Sequence, residues 1–309
     1  MPSNEQEADQ SIASQTMIAT RHGEIPYSAG YLAESLLVLG LSLEEAYKYA
    51  HRISDFLLEK RIQRIATDEL INLVIQEFSQ ANHSYALRAQ FLRDDLRALK
   101  PLVVILGGVT GIGKSTVSLL ISKRFHMDSI MGGDFVREVF RSAINPKLMP
   151  TIHCSSYQVG EILGLSISRR LQRHIIGFEE QARKVMVGIE AMIAQVMGER
   201  QSILIEGVHG IPYLLKEEYQ NSSDVVPILL TLEDEELDYN RLAKREVTYP
   251  KRPRGHLKFF ERIRSIQEYL AERCEELGFP VIDLSNEEQA MYLITEAIWE
   301  RKLRDIHED

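Results

Sequence analysis

The sequence predicts an α/β protein in which a parallel sheet carries helices on both faces and follows a small helical domain. The first observation is that short apolar runs rich in β-formers alternate with longer segments of helical periodicity from Leu102 onward. The second is that the stretch before Pro101 contains helical patterns, and that a proline there marks a boundary. A chain of 309 residues is long enough for one large domain and one smaller domain.

The N-terminal part predicts a short tail and then a helical domain. Residues 1–20 have a polar composition that predicts a disordered tail. Residues 21–95 carry apolar positions at helical spacing in SLEEAYKYAHRISDFLLEKR and in ATDELINLVIQEF. Ser42 and Glu45 begin the first of these segments as a capping box, in which each side chain satisfies a backbone N–H of the other residue.

Residues 101–309 predict the α/β domain. The strand candidates are LVVIL (102–106), DSIM (128–131), SILIE (202–206), VVPILLTL (225–232) and PVIDL (280–284). The longest helical pattern between them spans residues 178–197. Because helices that connect successive strands return the chain in the same direction, the sheet is expected to be parallel.

Composition excludes several classes of protein. The net charge of -9 argues against a nucleic-acid coat, which needs a broad basic surface. Cys154 and Cys274 are far apart, which gives no zinc motif and fits a reducing compartment. The N-terminus lacks a signal-peptide pattern, and no apolar run approaches the about 20 residues of a membrane helix. A cytoplasmic protein is expected.

The segment GGVTGIGKST, from Gly107 to Thr116, directly follows the first apolar run. A glycine, four residues and then Gly-Lys-Ser have the spacing of a P-loop, or Walker A motif. Lys114 is expected to reach the β- and γ-phosphates of ATP, and Ser115 to ligate Mg²⁺. The residues expected to hold the nucleotide are Gly108, Gly111, Gly113, Lys114, Ser115 and Thr116.

Glu206 follows the apolar residues of SILIE, where a buried strand is predicted to end. An acid at this edge can hold Mg²⁺ or its water shell, which is the second half of metal binding at a P-loop. The alternative is an ordinary carboxylate at the end of a strand.

The segment DSIMGGDFVREVFR places Asp134 just beyond the second predicted strand, on a helix with Arg137 and Arg141 four residues apart. Asp134 can accept or orient the proton of an acceptor hydroxyl. The two arginines can bind a carboxylate or phosphate. Alternatively, Asp134 is only the N-cap of the helix, and the two arginines lie on its solvated face.

The stretch RLAKREVTYPKRPRGH, residues 241–256, is strongly basic in an acidic chain. Arg241 and Arg245 lie one helical turn apart and resemble the lid arginines of small-molecule kinases, which close over the phosphates and exclude water. There they would stabilise charge on the transferring phosphoryl group. The alternative is a solvated basic loop.

Several segments together resemble the 2-phosphoglycerate kinase family known from archaea, over about residues 101–300. They are GGVTGIGKST, MGGDFVREVFR, PTIHCSSYQVGE, GFEEQARKVMVGIEAMI and ILIEGVHGIP. The resemblance implies phosphorylation of 2-phosphoglycerate by ATP to 2,3-bisphosphoglycerate. It also implies that His153, Ser155 and Ser156 belong to the substrate site.

The stretch from about Ile25 to Phe78 resembles the ATP-cone, a small helical nucleotide-binding module. This resemblance implies regulation of the attached enzyme by a nucleotide. The alternatives are a helical appendage and an oligomerisation surface, and the second of these would make the protein a homo-oligomer.

The sequence therefore predicts an ATP-dependent kinase of a small anionic molecule, with no nucleic-acid or membrane partner. One alternative keeps this chemistry and changes the acceptor to another phosphorylated or carboxylated metabolite. A second alternative is a nucleotide-sensing regulatory protein. Asp134 and the basic stretch favour an enzyme, since a sensor needs no acceptor pocket.

Overall fold

The structure is a computed structural model, and it describes residues 16–20, 22–98, 100–163, 170–248 and 256–304. The chain divides into two units, Met1–Lys100 and Pro101–Asp309. Within the described ranges, none of the helices has the length and apolarity required to cross a bilayer.

The N-terminal unit contains a small sheet as well as helices. Strand β1 (Met17–Thr20) pairs antiparallel with β2 (Gly23–Pro26) and parallel with β3 (Arg64–Ala66). The helices are α1 (Ala29–Leu36), α2 (Leu43–Glu59), α3 (Thr67–Ala81) and α4 (His83–Ala98). The capping box of α2 is present, because the Ser42 N–H donates to Glu45 Oε2 over 2.9 Å and the Glu45 N–H donates to Ser42 Oγ over 3.2 Å.

Two expectations for this unit require correction. The domain predicted as helical contains a three-stranded sheet, and β1 lies inside the predicted tail, whose residues 1–15 are outside the described residues. The strands are three or four residues long. A strand of this length shows too little alternation of apolar and polar residues for the pattern to be recognised.

The second unit confirms the predicted α/β class. Its five-stranded sheet has the order β5-β6-β4-β7-β8, and every neighbouring pair is parallel. The strands are β4 (Val103–Gly107), β5 (Ser129–Gly132), β6 (Ile203–Gly207), β7 (Val225–Thr231) and β8 (Val281–Asp283). Each predicted strand is present, with its ends within one residue of the predicted ends.

Helices connect these strands and cover both faces of the sheet. They are α5 (Lys114–Arg124), α6 (Gly133–Ala143), α7 (Val159–Ile162), α8 (Arg170–Glu199), α9 (Glu217–Asn221), α10 (Glu235–Thr248), α11 (Phe260–Glu276) and α12 (Glu287–Leu303). Alternate residues of β4 enter different cores. Val104 and Leu106 pack in one core with α5, α11 and α12, whereas Val103 and Ile105 pack in the other core with α6 and α8.

The topology determines where a ligand can bind. The chain leaves β4 for β5 on one side and later adds β7 and β8 on the other side, so the strand order reverses at β4. In open α/β sheets, ligands bind at this reversal, beyond the carboxyl ends of the strands. The predicted P-loop follows β4 and therefore lies at that position.

Candidate active site

The P-loop connects β4 to α5 in a conformation that requires glycine. Gly108 has φ +144°, and a Cβ there would lie 2.4 Å from the Leu230 carbonyl oxygen. Gly113, with φ +106°, caps α5 without a side-chain hydrogen bond. Gly113 therefore leaves the backbone N–H groups at the start of α5 without a side-chain acceptor. A helix N-terminus with such N–H groups favours an anion such as phosphate.

Lys114 is held inside the loop. The residue is 7% exposed, and Nζ donates to the Val109 carbonyl over 2.6 Å. Burial lowers the pKa of Lys114 to about 8, although the carboxylates of Glu206 and Asp134 favour its charged form. A phosphate group would supply the negative charge that this buried ammonium group needs.

Ser115 and Glu206 meet at the ends of two neighbouring strands. Glu206 lies opposite Leu106 in the parallel register of β4 and β6, and Ser115 Oγ donates to Glu206 Oε1 over 2.8 Å. A hydroxyl and a carboxylate are oxygen donors of the type that Mg²⁺ prefers. These two residues could hold the metal that the sequence predicts.

Two cavities meet at this point. A cavity of about 220 Å³ lies over the P-loop and includes Lys114 and Glu206 in its lining. A larger cavity of about 1060 Å³ extends from it toward α6. The residues that line both cavities are Thr110, Ser115, Asp134 and Arg245. The junction is therefore the place where a nucleotide phosphate would meet an acceptor.

Asp134 lies in the first turn of α6, and its side chain is 56% exposed at this junction. The N-cap residue of α6 is Gly132, so the alternative that Asp134 is the helix cap is wrong. Arg137 and Arg141 line the larger cavity beside it. Arg137 Nη1 donates to the Cys154 carbonyl over 3.4 Å, and Arg141 Nη1 donates to Glu138 Oε1 over 2.5 Å.

The structure brings most of the predicted substrate residues together. His153 and Ser155 line the larger cavity, whereas Ser156 is half-buried and is not part of that lining. His153 Nε2 lies 2.9 Å from the Ile144 carbonyl oxygen. Because a carbonyl only accepts, Nε2 carries the proton. Burial raises the pKa of the Cys154 thiol, which keeps it protonated.

The two arginines of the predicted lid are separated by the P-loop. Arg245 Nη1 donates to Thr110 Oγ1 over 3.1 Å, at the junction of the cavities. Arg241 Nη1 donates to the Ile112 carbonyl over 2.6 Å, and Arg241 lines a different cavity with Lys244 and Leu284. Arg241 therefore supports the loop instead of facing the acceptor cavity. Residues 249–255 of the predicted lid lie outside the described residues.

Two buried residues beside Asp134 were missed by the sequence reasoning. His209 follows β6, and its Nδ1 lies 3.6 Å from Asp134 Oδ1. Gln181 of α8 lies 2.9 Å from His209, through Oε1 and Nε2. Both residues belong to segments that carry the family resemblance, GFEEQ and EGVHG. For Gln181 the signal was a polar residue inside an apolar helical pattern, and for His209 it was a polar residue shortly after a buried strand. The sequence alone does not show which residues these side chains contact.

Fold, P-loop and paired cavities together define a P-loop kinase, a phosphotransferase. A 2-phosphoglycerate kinase from Methanopyrus kandleri is 34% identical over 268 residues, which cover 86% of this chain and 81% of the relative. A 2-phosphoglycerate kinase from Methanocaldococcus jannaschii is also 34% identical, over 84% of this chain and 83% of that protein. The chain belongs to the 2-phosphoglycerate kinase family.

Two other comparisons add little to this assignment. No family model matches the chain. A solved structure, a gluconokinase from Sinorhizobium meliloti 1021, aligns with a TM-score of 0.37 and 14% identity over 67% of this chain and 97% of the gluconokinase.

Proposed function

We propose that this kinase transfers the γ-phosphoryl group of ATP to the hydroxyl of 2-phosphoglycerate and forms 2,3-bisphosphoglycerate. The names of the two archaeal relatives support this acceptor. The observation that carries the proposal is that Asp134 lines both cavities, with two arginines farther along the larger one. 2-Phosphoglycerate presents a hydroxyl close to a carboxylate and a phosphate, which matches one acid beside two guanidinium groups.

The nucleotide half of the reaction uses the P-loop. Backbone N–H groups of residues 111–115 would bind the phosphates of ATP, and Lys114 would exchange the Val109 carbonyl for a phosphate oxygen. Ser115 and Glu206 would hold Mg²⁺, which would supply positive charge against the charge of the phosphates. Thr116 follows in the first turn of α5 and lines the same cavity.

Transfer of the phosphoryl group takes place at the junction of the cavities. Asp134 would accept the proton of the acceptor hydroxyl as that oxygen attacks the γ-phosphorus in line with the departing ADP. Arg245 lies at the same junction, where a guanidinium stabilises negative charge on the transferring group. The protein therefore contributes mainly position and electrostatic stabilisation.

The acceptor half uses the larger cavity. The Nε atoms of Arg137 and Arg141 are buried and lack a hydrogen-bond partner in the described structure. Since a buried donor without a partner carries a free-energy cost, both guanidinium groups gain from an incoming anion. His153 and Ser155 line the same cavity and would complete the contacts to the carboxylate or the phosphate. Another metabolite with two anionic groups and a hydroxyl is the alternative acceptor.

The N-terminal unit offers little support for a nucleotide effector. It has a cavity of about 510 Å³, whose lining is Ser28, Gly30, Tyr31, Glu34, Leu37, Leu43 and Tyr47. Among the described residues, this lining contains a carboxylate and no lysine or arginine, whereas a nucleotide phosphate needs positive charge. The described part of this lining therefore does not favour the regulatory alternative.

The test is a phosphorus NMR assay of the purified chain with ATP, Mg²⁺ and 2-phosphoglycerate. We expect 2,3-bisphosphoglycerate with the wild type and none with Lys114→Ala. A parallel series replaces the acceptor with 3-phosphoglycerate, with glycerate and with other anionic metabolites that carry a hydroxyl. Failure to phosphorylate 2-phosphoglycerate while another member of the series is phosphorylated would reject the proposed acceptor and keep the kinase.

A further inference from the structure

His209 is fully buried beside the candidate base and has one unsatisfied nitrogen. Its exposed fraction is 0%, and Nδ1 has no hydrogen-bond partner in the described structure. The nearest acid is Asp134, whose Oδ1 is 3.6 Å away, which is beyond hydrogen-bond length. A buried polar atom without a partner is costly, so a core histidine with a purely structural role would have both nitrogens satisfied.

The protonation of His209 is determined by its other neighbour, Gln181. The Gln181 amide nitrogen donates to the Thr151 carbonyl over 2.5 Å and to the Cys154 carbonyl over 3.1 Å. Because carbonyl oxygens only accept, the amide oxygen of Gln181 must face His209. This oxygen also only accepts, so Nε2 of His209 carries the proton and Nδ1 is left as a bare acceptor.

The position of the imidazole ring is also restricted. The ring stacks on Phe178 with 6.3 Å between centroids and 9° between planes. The end of β6 packs tightly on the start of α6, because a Cβ at Gly207 would lie 3.1 Å from the Gly133 backbone nitrogen. His209 and Asp134 therefore lie next to two segments that are in close backbone contact.

The electrostatic environment keeps this ring neutral. The pKa of His209 is lowered to about 4, mainly by burial; the charge of Asp134 opposes this shift, and the charges of Arg137 and Lys114 add to it. A neutral Nδ1 acceptor and an ionised carboxylate have no proton to share. They can form a hydrogen bond only after the carboxylate has gained a proton.

We propose that His209 is a positioning residue that accepts a hydrogen bond from Asp134 once Asp134 has taken the proton of the acceptor hydroxyl. The O–H bond of the acceptor breaks, its oxygen forms a bond to the γ-phosphorus, and the bond from that phosphorus to the β,γ-bridging oxygen of ATP breaks. The proton moves to Asp134, whose O–H then donates to Nδ1 of His209. Asp134 afterwards releases the proton to water through its exposed face.

This role extends the proposed function and depends on it. The hydrogen bond forms only in the protonated state that transfer creates, so it stabilises the transition state more than the bound substrates. Gln181 takes part indirectly, because it links His209 to the carbonyls of the turn that carries His153 and Cys154. The expected effect is therefore on kcat, with little effect on the binding of either substrate.

A pair of substitutions separates the two ring nitrogens. The amide of a glutamine reaches about the position of Nε2, and the amide of an asparagine reaches about the position of Nδ1. We expect His209→Gln to lower kcat about 10- to 100-fold, with the acceptor KM and the ATP Kd within about twofold of wild type. His209→Asn keeps a hydrogen-bond acceptor toward Asp134, so we expect a smaller decrease in kcat for this variant. The opposite ranking, or an unchanged kcat in His209→Gln, would overturn the proposal.

A double-mutant cycle tests whether His209 acts through Asp134. In an Asp134→Asn background, the further loss from His209→Gln should be less than about twofold, since the interaction is already absent. If the fold losses of kcat from the two substitutions multiply in the double variant, His209 has a structural role and the proposal is rejected. The wild type must first phosphorylate its acceptor. If it phosphorylates none, the proposed function itself has failed, which is a different result.

A measurement on the wild type requires no folded variant. Nitrogen-15 NMR of the histidine side chains reports which ring nitrogen carries hydrogen, and His209 is assigned by the signal that is lost in either variant or, if neither folds, by sequential assignment. We expect the tautomer with hydrogen on Nε2 alone at pH 7. Hydrogen on Nδ1, or a doubly protonated ring, would leave no acceptor for Asp134 and would overturn the inference.

Discussion

The hydroxyl of Ser115 donates a hydrogen bond to Oε1 of Glu206 over 2.8 Å, so the first turn of α5 is joined to the end of β6. These residues are far apart in the chain, and the parallel pairing of β4 with β6 brings them together. The same pairing explains why a metal site can form without a compact sequence motif. No cluster of three or more histidine, cysteine or acidic residues suited to a metal occurs in the described ranges.

Glu206→Gln should weaken the use of Mg²⁺. The amide has nearly the same shape but no charge, so it attracts the cation less strongly. We expect the Mg²⁺ concentration for half-maximal rate to rise about tenfold or more, with a lower kcat. Initial rates over a magnesium titration measure both. Glu218→Gln removes the same charge from an exposed position on α9 and serves as the control; equal titration curves for wild type and Glu206→Gln would exclude Glu206 from the metal site.

Asp134→Asn should abolish most of the chemistry and leave nucleotide binding intact. The amide cannot accept the hydroxyl proton as a carboxylate does, so we expect kcat to fall about 10²- to 10⁴-fold. The ATP Kd should stay within about twofold, since the phosphates are bound by the P-loop. Steady-state kinetics and calorimetry of ATP binding give the two values. Retention of kcat would remove Asp134 from the mechanism, whatever the acceptor.

Arg137→Gln should weaken binding of the acceptor and leave binding of ATP unchanged. A charge-assisted hydrogen bond contributes about 1.5 to 3 kcal/mol, so we expect the acceptor KM to rise about 10- to 100-fold. The ATP Kd should not change. Arg183→Gln, at a 59% exposed position of α8, makes the same charge change away from the cavity and should leave both constants unchanged. A rise in the ATP Kd without a rise in the acceptor KM would place Arg137 on the nucleotide side.

Local motifs predicted one half of the site better than the other. The P-loop could be recognised because its residues are consecutive in the chain. The positions of Glu206 and Asp134 could be predicted because residues at the carboxyl ends of parallel strands share one edge of the sheet. The contact between His209 and Asp134 could not be predicted. It depends on the packing of α6 against the end of β6, which no spacing in the sequence encodes.

Helical spacing also misled the prediction for the two lid arginines. Arg241 and Arg245 share a helix face by spacing, yet they contact the P-loop at Ile112 and at Thr110, and so line different cavities. The N-terminal sheet escaped prediction for another reason: its pairing joins residues 17–19 to residues 64–66 through backbone hydrogen bonds. Backbone pairing over that distance leaves little trace in the side-chain pattern of strands so short.

His209 should make the stability of the enzyme depend on pH in a defined window. Burial lowers its folded pKa to about 4 from the ordinary value of 6.5, so the unfolded chain binds the proton more readily. Stability therefore falls as pH decreases from about 6.5 toward 4. Between pH 6.5 and 5 this group should account for a loss of about 1.5 kcal/mol. Denaturant unfolding at both pH values should show a smaller loss in His209→Gln, and an equal loss would mean that the histidine is not buried in its neutral form.

Gly188 of α8 should be required for the position of Asp134. A Cβ at this residue would lie 2.4 Å from Val136 Cγ1 and 2.9 Å from Phe140 Cζ, both on α6. Val136 is β-branched and has few rotamers with which to move aside. Gly188→Ala should therefore displace α6, because the added methyl group cannot be accommodated in a packed core.

The expected loss of stability in Gly188→Ala is about 1 to 3 kcal/mol, accompanied by a lower kcat, since Asp134 and Arg137 move with α6. Gly198→Ala is the matched control on the same helix, because nothing lies within 4 Å of its added Cβ. That variant should be neutral or more stable by up to about 1 kcal/mol, as alanine favours the helix. Thermal unfolding and steady-state kinetics of the two variants measure the difference. Equal behaviour of the two variants would show that α6 and α8 leave room for a methyl group at residue 188 and that Gly188 does not determine the position of Asp134.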